Sequence, residues 1–582
     1  MRRTKIVCTL GPATRDVPVL RELIRAGMDV ARINMSHGSR QENAALIAAV
    51  RRAAREEKKN LAIMLDTKGP EIRIGKFEGG KVFLEEGQEF VLTTKEITGN
   101  RQAVSVDYPG ITRDVKPGLN ILLADGLIVL EIMAVGEEEI RCRVKSGGEL
   151  SDNKGVNIPG ARLLLPSVSA RDRKDIIFAV KQEADFIAAS FTRRAEDILE
   201  IRAVLEELRA DVQIIAKIEN REGMENIDKI LAAADGVMVA RGDLGVEVPT
   251  EEVPLMQKVI IEKCNEAGKP VITATQMLES MVRNPLPTRA EASDVANAIF
   301  DGTDALMLSG ETAIGKFPVE AVSTMARIAE RTETALQYRK ILEKFEPPSE
   351  TSVTDAISYA TCHVARELGA RAIITATQSG YTARNVSKYK PKARIVAVTP
   401  RKKVARCLAL KWGVFPVLSR PAETTDEMFT AAVEASLKNN YIKNGDLVVF
   451  TAGVPVGVSG TTNLLRVHTV GEIIIKGTGI GRKPAAGRAK IARSAAEAAD
   501  IKEDEILVAY ATDKDYLPAM QRAAGLVVEE GGLTSHAAVV ALNLGLPVIV
   551  GAEDAVKVLK EGELITLDTV RGVIYRGRAK IF

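Results

Sequence analysis

The sequence predicts an α/β protein built on a TIM (β/α)8 barrel, with an inserted all-β lid domain, a C-terminal α/β domain and one extra C-terminal α/β domain. Three patterns lead to this prediction. Eight short apolar runs alternate with amphipathic helices, one interruption alternates polar and apolar residues, and a second α/β pattern follows the eighth run. Regular alternation of strands and helices is typical of a parallel sheet covered by helices.

The eight apolar runs are rich in β-branched residues, and a helical pattern follows each except where the third is interrupted. Continuous apolar runs are typical of parallel strands that are buried on both faces. In chain order they are TKIVCTLG (4–11), VARINMS (30–36), LAIMLDT (61–67), FIAASF (186–191), IIAKIEN (214–220), GVMVARGD (236–243), PVITATQ (270–276) and ALMLSGE (305–311). Together they predict a closed barrel over residues 1–69 and 167–345.

The interruption covers residues 70–166. Segments such as KVFLEEGQEFVLTT alternate in polarity and are separated by glycine-containing turns, which predicts antiparallel strands. An insertion after the third strand would lie over the C-terminal face of the barrel, where active sites form. We therefore expect a β-barrel lid.

Two further domains are predicted after the barrel. The stretch EPPSE (346–350) indicates a boundary, and helix and strand patterns over 346–474 predict a separate α/β domain. The stretch KGTGIGRKPAAGRAK (476–490) is predicted to be a turn-rich linker, because its glycines do not fit GxGxxG and follow no βαβ unit. Residues 475–582 form the extra domain.

Composition excludes several classes of protein. A net charge of +3 argues against a dedicated polyanion-binding protein, and 4% aromatic residues argue against stacking on single-stranded nucleic acid. The five cysteines are scattered without a CxxC pair, as in reduced proteins without disulfides or structural zinc. No signal peptide or membrane-spanning run is recognisable. We expect a soluble, cytoplasmic protein with no nucleic-acid or membrane partner.

Polar side chains end six of the eight predicted strands. One such residue alone is more often a solvated strand end or a helix N-cap, but their coincidence on one barrel predicts an active site at its C-terminal face. The residues are Arg32, Asn34, Ser36, Asp66, Thr67, Lys217, Glu219, Arg241, Asp243, Thr275, Ser309 and Glu311.

The residue types agree with phosphoryl transfer. Glu219 and Asp243 offer hard oxygen ligands to Mg²⁺, and Arg32 and Lys217 supply fixed positive charge. Neither a P-loop nor a protein-kinase signature is present, so the phosphates would be held in another way. A smaller set of oxygens suits a monovalent cation: Asn34, Ser36, Asp66 and Thr67.

At these residues the chain resembles the pyruvate kinase family. The motifs that carry the resemblance occur in the family's order and cover about residues 1–474: TKIVCTLGPA, RINMSHG, LDTKGPEIR, KGVNIPG, AKIEN, MVARGDLGVE, TATQMLESM, PTRAEASDVANA and MLSGETA. The fold of that family, a barrel with a β lid and an α/β C-terminal domain, agrees with the one predicted from the patterns.

The resemblance implies how phosphoenolpyruvate and its cofactors would bind. The phosphate would contact Arg32 and Lys217, and Glu219 and Asp243 would hold Mg²⁺ or Mn²⁺. The carboxylate would meet the Thr275 hydroxyl and the backbone of Ala240, Gly242 and Asp243. A potassium ion would be held by Asn34, Ser36, Asp66 and Thr67, and ADP or ATP would approach between barrel and lid, near Asn34, His37, Arg73 and Lys154.

The resemblance also implies the chemistry. ADP would attack the phosphoryl group while Lys217 stabilises the developing charge, and the enolate would be protonated to pyruvate by a relay that includes Thr275, Ser309 and a water. Position 71 is Glu, which in this family accompanies potassium dependence, whereas Lys supplies the cation itself. We therefore expect a need for K⁺.

A loop of the third domain, TATQSGYTARNVSKY, is a candidate phosphate site and equally reads as an ordinary N-cap loop. The family resemblance favours a phosphorylated effector in what would be a regulatory domain, held by Thr377, Ser379, Gly380 and Thr382. The second loop, FTAGVPVGVSGTTN, lacks the Trp and Arg that would meet a second phosphate, so we expect a monophosphate such as a sugar phosphate or nucleotide.

The extra domain contains GGLTSHAAVVALNLGLPVIVG, which resembles the phosphohistidine domain of phosphoenolpyruvate-utilising enzymes. By that resemblance His536 would carry a phosphoryl group, yet no nucleotide-grasp partner is recognisable. We favour a phosphohistidine-like accessory domain that has kept the fold without the transfer.

Three hypotheses therefore stand: a pyruvate kinase, a phosphoenolpyruvate-dependent carrier that uses His536, and a metabolite-sensing protein with an inactive barrel. The complete set of barrel residues argues against the third. The family's usual assembly makes a homotetramer the expectation.

Overall fold

The structure is a computed structural model that describes residues 1–161, 163–345, 352–456, 460–471, 473–481, 483–579 and 581. The predicted boundary stretch 346–350 and part of the second loop (457–459) lie outside these residues. The chain divides into two compact units. The first holds residues 1–341, 387–390 and 401–416, and the second holds 342–386, 391–400 and 417–582.

The first unit begins with three strands and two helices of the predicted alternation. Ser39 caps the second helix by accepting a hydrogen bond from the Glu42 N–H, in a capping box. These elements are β1 (Lys5–Thr9), α1 (Val17–Ala26), β2 (Val30–Asn34), α2 (Arg40–Glu56) and β3 (Ala62–Asp66).

The insertion after β3 is all-β apart from one short helix, and it has its own buried apolar core. Its elements are β4 (Lys81–Leu84), β5 (Glu89–Thr93), β6 (Ala103–Ser105), α3 (Ile111–Asp114), β7 (Asn120–Leu123), β8 (Ile128–Val135), β9 (Glu139–Ser146), β10 (Gly148–Ser151) and β11 (Val156–Asn157). The strands form a six-stranded sheet of the order β11-β7-β8-β9-β5-β6 and a separate β10–β4 pair. Isolated bridges join Arg73 to Gly155 and Ile74 to Val106, next to the two edge strands of that sheet, and the expected β-barrel stays a prediction. Gly147, between β9 and β10, leaves no room for a Cβ against the Leu84 carbonyl, and there the chain leaves the larger sheet.

The chain then returns to the barrel and completes the alternation. The elements are α4 (Ala170–Lys181), β12 (Phe186–Ala189), α5 (Ala195–Glu207), β13 (Gln213–Ile218), α6 (Arg221–Glu225), α7 (Ile227–Ala233), β14 (Gly236–Ala240), α8 (Arg241–Glu247), α9 (Val253–Glu266), β15 (Val271–Ala274), α10 (Arg289–Asp301), β16 (Ala305–Leu308), α11 (Gly310–Ala313), α12 (Pro318–Ala335) and α13 (Tyr338–Lys344). The last three residues of α13 belong to the second unit.

The predicted barrel is confirmed. Eight parallel strands close in the order β1-β16-β15-β14-β13-β12-β3-β2. All eight strands are buried except for the half-buried ends at Asn34 and Gln213, because one face fills the interior and the other packs against helices. The carboxyl ends of the strands therefore share one face, which positions the predicted site.

The second unit contains the predicted α/β domain. Its sheet has the order β19-β18-β17-β20-β21, with β21 antiparallel. The elements are α14 (Val353–Glu367), β17 (Ala372–Ala376), α15 (Tyr381–Lys388), β18 (Arg394–Thr399), α16 (Lys402–Cys407), β19 (Val414–Leu418), α17 (Thr425–Lys438), β20 (Leu447–Ala452) and β21 (Leu464–Thr469). Residues 401–416, which include α16 and the first three residues of β19, belong to the first unit.

The last part of the second unit is an eight-stranded sheet with short helices. Its elements are β22 (Ile473–Lys476), β23 (Thr478–Ile480), β24 (Ala485–Ala492), α18 (Ala495–Ala498), β25 (Glu505–Ala509), α19 (Leu517–Met520), β26 (Gly525–Val528), α20 (His536–Leu544), β27 (Val548–Val550), α21 (Ala555–Val558), β28 (Leu564–Asp568) and β29 (Val573–Arg576).

The predicted linker at 476–490 is wrong, because β23 of this sheet lies within it and β24 begins within it. Three of its four glycines, Gly477, Gly479 and Gly487, serve close backbone approach, whereas Gly481 has a left-handed φ of 103° and no close contact. A Cβ on Gly479 would collide with the Thr569 carbonyl, and one on Gly487 with the Asp504 carbonyl. In the part of the chain that the structure describes, no helix is long and apolar enough to cross a membrane.

Candidate active site

The barrel brings most of the predicted site residues to one face. Arg32, Asp66 and Lys217 lie near the carboxyl ends of β2, β3 and β13. Glu219 follows β13, Thr275 follows β15 and Ser309 follows β16. Asp243 differs from the expected strand end, because the strand stops at Ala240 and Arg241 begins α8.

A buried ion cluster forms the centre of this face. The Lys217 ammonium lies 2.8 Å from Glu219 Oε1 and 3.4 Å from Asp66 Oδ2, and it donates to Ser190 Oγ at 2.8 Å. Arg32 donates through Nη2 to the same Asp66 carboxylate. Burial alone would lower the pKa of Lys217, but the two carboxylates raise it above its ordinary value. The two ion pairs therefore favour the charged form of Lys217.

Glu219 and Asp243 form a close carboxylate pair. Burial first, and then the neighbouring Glu219, raise the pKa of Asp243 to about 7. Two carboxylates that repel in this way suit a divalent cation between them. Among the described residues no group of three or more His, Cys, Asp or Glu is arranged to hold a metal. Two carboxylates fit Mg²⁺, which binds through one or two carboxylates and completes its shell with substrate and water.

The residues predicted for a monovalent cation surround the end of β3. Asp66 Oδ1 is buried and has no hydrogen-bond partner among the described residues. Asn34 Oδ1 accepts a hydrogen bond from the Ser36 N–H at 3.0 Å. The Thr67 carbonyl accepts one from Ser190 Oγ at 2.7 Å. A buried carboxylate oxygen without a donor suits a cation, so these residues fit the group predicted for them.

Thr275 is held in a strained conformation next to the start of α8. Its φ is 65°, in the left-handed region that a β-branched residue rarely adopts. Its hydroxyl accepts a hydrogen bond from the Gly242 N–H at 2.8 Å, and Arg241 donates to its carbonyl at 2.7 Å. The predicted carboxylate-binding groups, Thr275 and the backbone of Gly242, therefore lie together.

Glu311 binds two loops of the site, which its position after a strand does not indicate. It is fully buried, and its carboxylate accepts from two backbone N–H groups, Ser309 at 2.7 Å and Leu278 at 3.0 Å. Burial raises the pKa of Glu311 above its ordinary value. One carboxylate thus joins the loop after β15, which carries Thr275, to the loop after β16, which carries Ser309.

Ser190 and Phe191 were not identified from the sequence, although both follow β12. Ser190 binds Lys217, and the Phe191 N–H donates to Glu219 Oε2. Phe191 has a φ of 55°, which turns its N–H toward the site. The position of these two residues at the end of the FIAASF strand was a signal that they lie at the site. They were not predicted as site residues because serine and phenylalanine carry no charge.

A cleft of about 700 Å³ separates the lid from the barrel, and its lining includes Glu71, Asp125, Glu219 and Asp243. Asn157 of the lid donates to Glu247 of α8 at 3.0 Å, across this cleft.

None of the four residues predicted for the nucleotide is in the lining of this cleft, as far as the structure describes it. The Arg73 guanidinium forms a two-point ion pair with Glu71, at 2.9 and 2.8 Å, and donates to the Asn153 carbonyl. Lys154 follows Asn153, and Asn34 and the exposed His37 lie at and after the end of β2.

The predicted effector loop lines a pocket in the second unit. Thr377, Ser379 and Thr382 face this pocket together with Ser419 and Arg420 from the loop after β19. The Gly380 N–H donates to Thr377 Oγ1 at 2.9 Å, and the Thr382 hydroxyl lies 3.0 Å from that of Thr462. Arg420 was not identified from the sequence, and it provides a cation at the mouth of this pocket.

His536 is the exposed first residue of α20, and Ser535 caps the helix by accepting from the Ala538 N–H. Its Nδ1 lies 3.2 Å from Thr512 Oγ1. Four other residues have structural contacts: Cys8 and Trp412 are buried, His363 contacts Arg366, and His468 packs edge-on against Phe429.

Three family models match the chain. The pyruvate kinase barrel domain matches residues 1–322, and the pyruvate kinase alpha/beta domain matches 355–468. The mobile domain of PEP-utilising enzymes matches 501–572.

Individual relatives agree with these models. The chain is 55% identical over 584 residues to a pyruvate kinase of Geobacillus stearothermophilus, and 54% identical over 585 residues to one of Bacillus licheniformis, with 100% of both chains covered in each case. Among solved structures it resembles a pyruvate kinase from Cryptosporidium parvum, with a TM-score of 0.77 and 39% identity over 80% of this chain and 96% of that one.

Proposed function

Because this chain belongs to the pyruvate kinase family and catalyses its glycolytic reaction, the transfer of the phosphoryl group of phosphoenolpyruvate to ADP to give pyruvate and ATP, we propose how its residues divide that reaction. The observation that carries the proposal is the buried cluster of Arg32, Asp66, Lys217 and Glu219 at the carboxyl ends of β2, β3 and β13.

Phosphoenolpyruvate binds with its phosphate against Arg32 and Lys217. Its carboxylate takes the hydrogen bond that the Gly242 N–H now gives to Thr275, together with the Thr275 hydroxyl and the backbone of Ala240 and Asp243. The left-handed backbone of Thr275 supports this assignment, because such strain is common where a residue must present groups to a ligand.

Two cations take part. Glu219 and Asp243 hold Mg²⁺ or Mn²⁺, and K⁺ is held by Asn34, Ser36, Asp66 and Thr67. When bound, these ions neutralise phosphate charge and polarise the phosphoryl oxygens. The raised pKa of Asp243 and the unpartnered oxygen of Asp66 support the two sites.

In the first step a β-phosphate oxygen of ADP attacks the phosphorus of phosphoenolpyruvate, and the bond from phosphorus to the enol oxygen breaks. Lys217 holds its proton throughout and stabilises the negative charge on the transferring group, while Arg32 orients it. The electron pair of the broken bond remains on pyruvate enolate.

In the second step the enolate carbon takes a proton through a relay of Thr275, Ser309 and a water. Glu311 holds the two loops at a fixed separation, so that both hydroxyls face the same carbon. ADP enters between barrel and lid beside Asn34, His37, Arg73 and Lys154. Arg73 must exchange part of its ion pair with Glu71 for the nucleotide phosphates.

Activity is regulated by a phosphorylated small molecule in the pocket of the second unit. Its single phosphate contacts Thr377, Ser379, Gly380 and Thr382. Arg420 at the same pocket supports an anionic ligand. The enzyme works in the cytoplasm as a homotetramer, which is the family's usual assembly.

One experiment tests the division of roles. Pyruvate formation from phosphoenolpyruvate and ADP is measured on the full chain with and without K⁺. We expect Lys217→Met to lower kcat by about 10³-fold, because the charge-stabilising group is lost. Removal of K⁺ should also abolish most activity. A Lys217→Met enzyme within tenfold of wild type would contradict the role given to Lys217.

The carrier that uses His536 is the second candidate, favoured by the match of residues 501–572 to a mobile phosphotransfer domain. The charged and metal-binding groups described for the reaction lie in the barrel. We therefore keep His536 outside the reaction, in an accessory domain.

A further inference from the structure

Two chain segments run from the effector pocket of the second unit into the first unit. The helix α15 starts at the pocket, where Tyr381 and Thr382 line it, and it ends at Lys388, within residues 387–390 of the first unit. The 401–416 segment leaves the pocket after Pro400 and returns to it before Ser419.

Both segments contact the same carboxylate, that of Asp304. Its Oδ1 lies 3.3 Å from the Lys390 ammonium at the end of the first segment. The same oxygen lies 3.1 Å from the Lys411 ammonium and accepts from the Trp412 N–H at 3.0 Å, both in the second segment. The segments also bind each other, because Ser387 Oγ donates to the Trp412 carbonyl at 2.6 Å.

Asp304 is part of the barrel frame. It immediately precedes β16, whose other end leads to Ser309, and its Oδ2 accepts from the Val271 N–H at the start of β15. The loop after β15 carries Thr275. Displacement of Asp304 therefore moves the two strands that carry the proposed proton relay.

The charged groups around the Asp304 carboxylate are buried and closely packed, so they have little room to move separately. Asp304, Lys390 and Lys411 are all at most 5% exposed. Ala409 and Leu410 of the 401–416 segment belong to the same buried cluster as the barrel residues Met64 and Phe186. Buried charges cannot separate without losing their partners, and close-packed side chains transmit strain.

We propose that Asp304, with Lys390 and Lys411, is the anchor through which a ligand in the effector pocket changes the affinity of the barrel for phosphoenolpyruvate. The inference rests on the proposed effector pocket and adds the route by which it acts. A phosphate drawn in between the start of α15 and Arg420 moves both segments, and both pull on one carboxylate.

The chain carries its own reporter of the anchor. Trp412 is its single tryptophan, and the Lys390 ammonium lies over the Trp412 ring, 5.1 Å from its centroid. Tryptophan emission of the full chain therefore reports this contact.

The experiment uses two monophosphates as probes, ribose 5-phosphate and AMP. Binding is measured by calorimetry, Trp412 emission by fluorescence, and the phosphoenolpyruvate concentration for half-maximal rate by assay. The variants are Lys390→Met and Lys411→Met, each of which leaves one lysine paired with Asp304. The control is Lys263→Met, whose lysine is partly exposed and pairs with Asp228 on the barrel surface.

In wild type and in the control, a probe that binds should change the emission and shift the half-maximal concentration by about fivefold or more. In Lys390→Met and Lys411→Met the same probe should bind with similar affinity and leave kcat unchanged. Its shift of the half-maximal concentration should fall below about twofold. If both variants show the wild-type shift of the half-maximal phosphoenolpyruvate concentration, the role proposed for Asp304 is refuted.

A second arm separates this inference from the effector assignment. By reciprocity, phosphoenolpyruvate with Mg²⁺ and K⁺ but without ADP must change Trp412 emission in wild type. If neither probe binds, the assignment of the effector pocket to a monophosphate fails. If phosphoenolpyruvate leaves the emission of Trp412 unchanged, the anchor itself is refuted, whatever the effector.

Discussion

Lys390 should lose its charge near pH 8, far below the usual pKa of a lysine. The pKa of this lysine is lowered from 10.5 to about 8, chiefly by burial and also by the neighbouring Lys411, while Asp304 and the thiol of Cys264 oppose the change. At about 1.4 kcal/mol for each pKa unit, the charged form is roughly 3 kcal/mol less favourable here than in water. In the unfolded chain Lys390 stays charged up to about pH 10.5. Its contribution to stability therefore rises as pH increases from about 8 to 10.5.

The measurement is a titration of tryptophan emission between pH 6.5 and 9.5. We expect a transition centred near pH 8 as the ammonium over the Trp412 ring loses its proton. Lys390→Met should abolish it. Lys5→Met should keep it, although burial lowers the pKa of Lys5 to about 8 as well, because the Lys5 ammonium lies over the ring of Phe415. The reasoning is refuted if Lys390→Met keeps the transition.

Three further predictions concern the reaction itself. Glu71→Lys places a permanent ammonium beside Arg73 and should remove most of the K⁺ requirement, measured as the ratio of rates with and without K⁺; an unchanged ratio would contradict the assignment. Glu311→Gln leaves one backbone N–H without its acceptor and should lower kcat by about 10²-fold, with a larger solvent isotope effect and a nearly unchanged KM. A rise in KM alone would show that Glu311 acts only in binding. His536→Ala should keep pyruvate formation within about twofold of wild type, since the proposed transfer steps take place in the barrel; loss of that activity would favour the carrier.

The barrel was predictable because its strands are continuous apolar runs and its polar residues come where those runs stop. The same rule brought Arg32, Asp66, Lys217 and Glu219 together, since parallel strands share one carboxyl edge. Their roles stay predictions until the assays are made. The chemical types of these four residues were enough to indicate phosphoryl transfer.

Other parts of the site depend on contacts that are invisible along the chain. Glu311 was visible as a polar strand end, but its bonds to Ser309 and Leu278 require the packing of two loops. Ser190 was not predicted as a site residue because serine is common after a strand. The glycines of 476–490 were misinterpreted because glycine marks both turns and close strand contacts, and only Asp504 and Thr569 from distant segments distinguish the two.

The 401–416 segment also sets the order in which the molecule can be completed during translation. Ala409 and Leu410 belong to one buried cluster with Val7 and other strand residues of the barrel, although the ribosome makes them long after the last barrel strand. Until these two residues are synthesised, part of the apolar core of the barrel stays exposed, and exposed apolar surface promotes aggregation or chaperone binding. A chain cut after residue 345 would keep every group proposed for catalysis and still lack part of its own core.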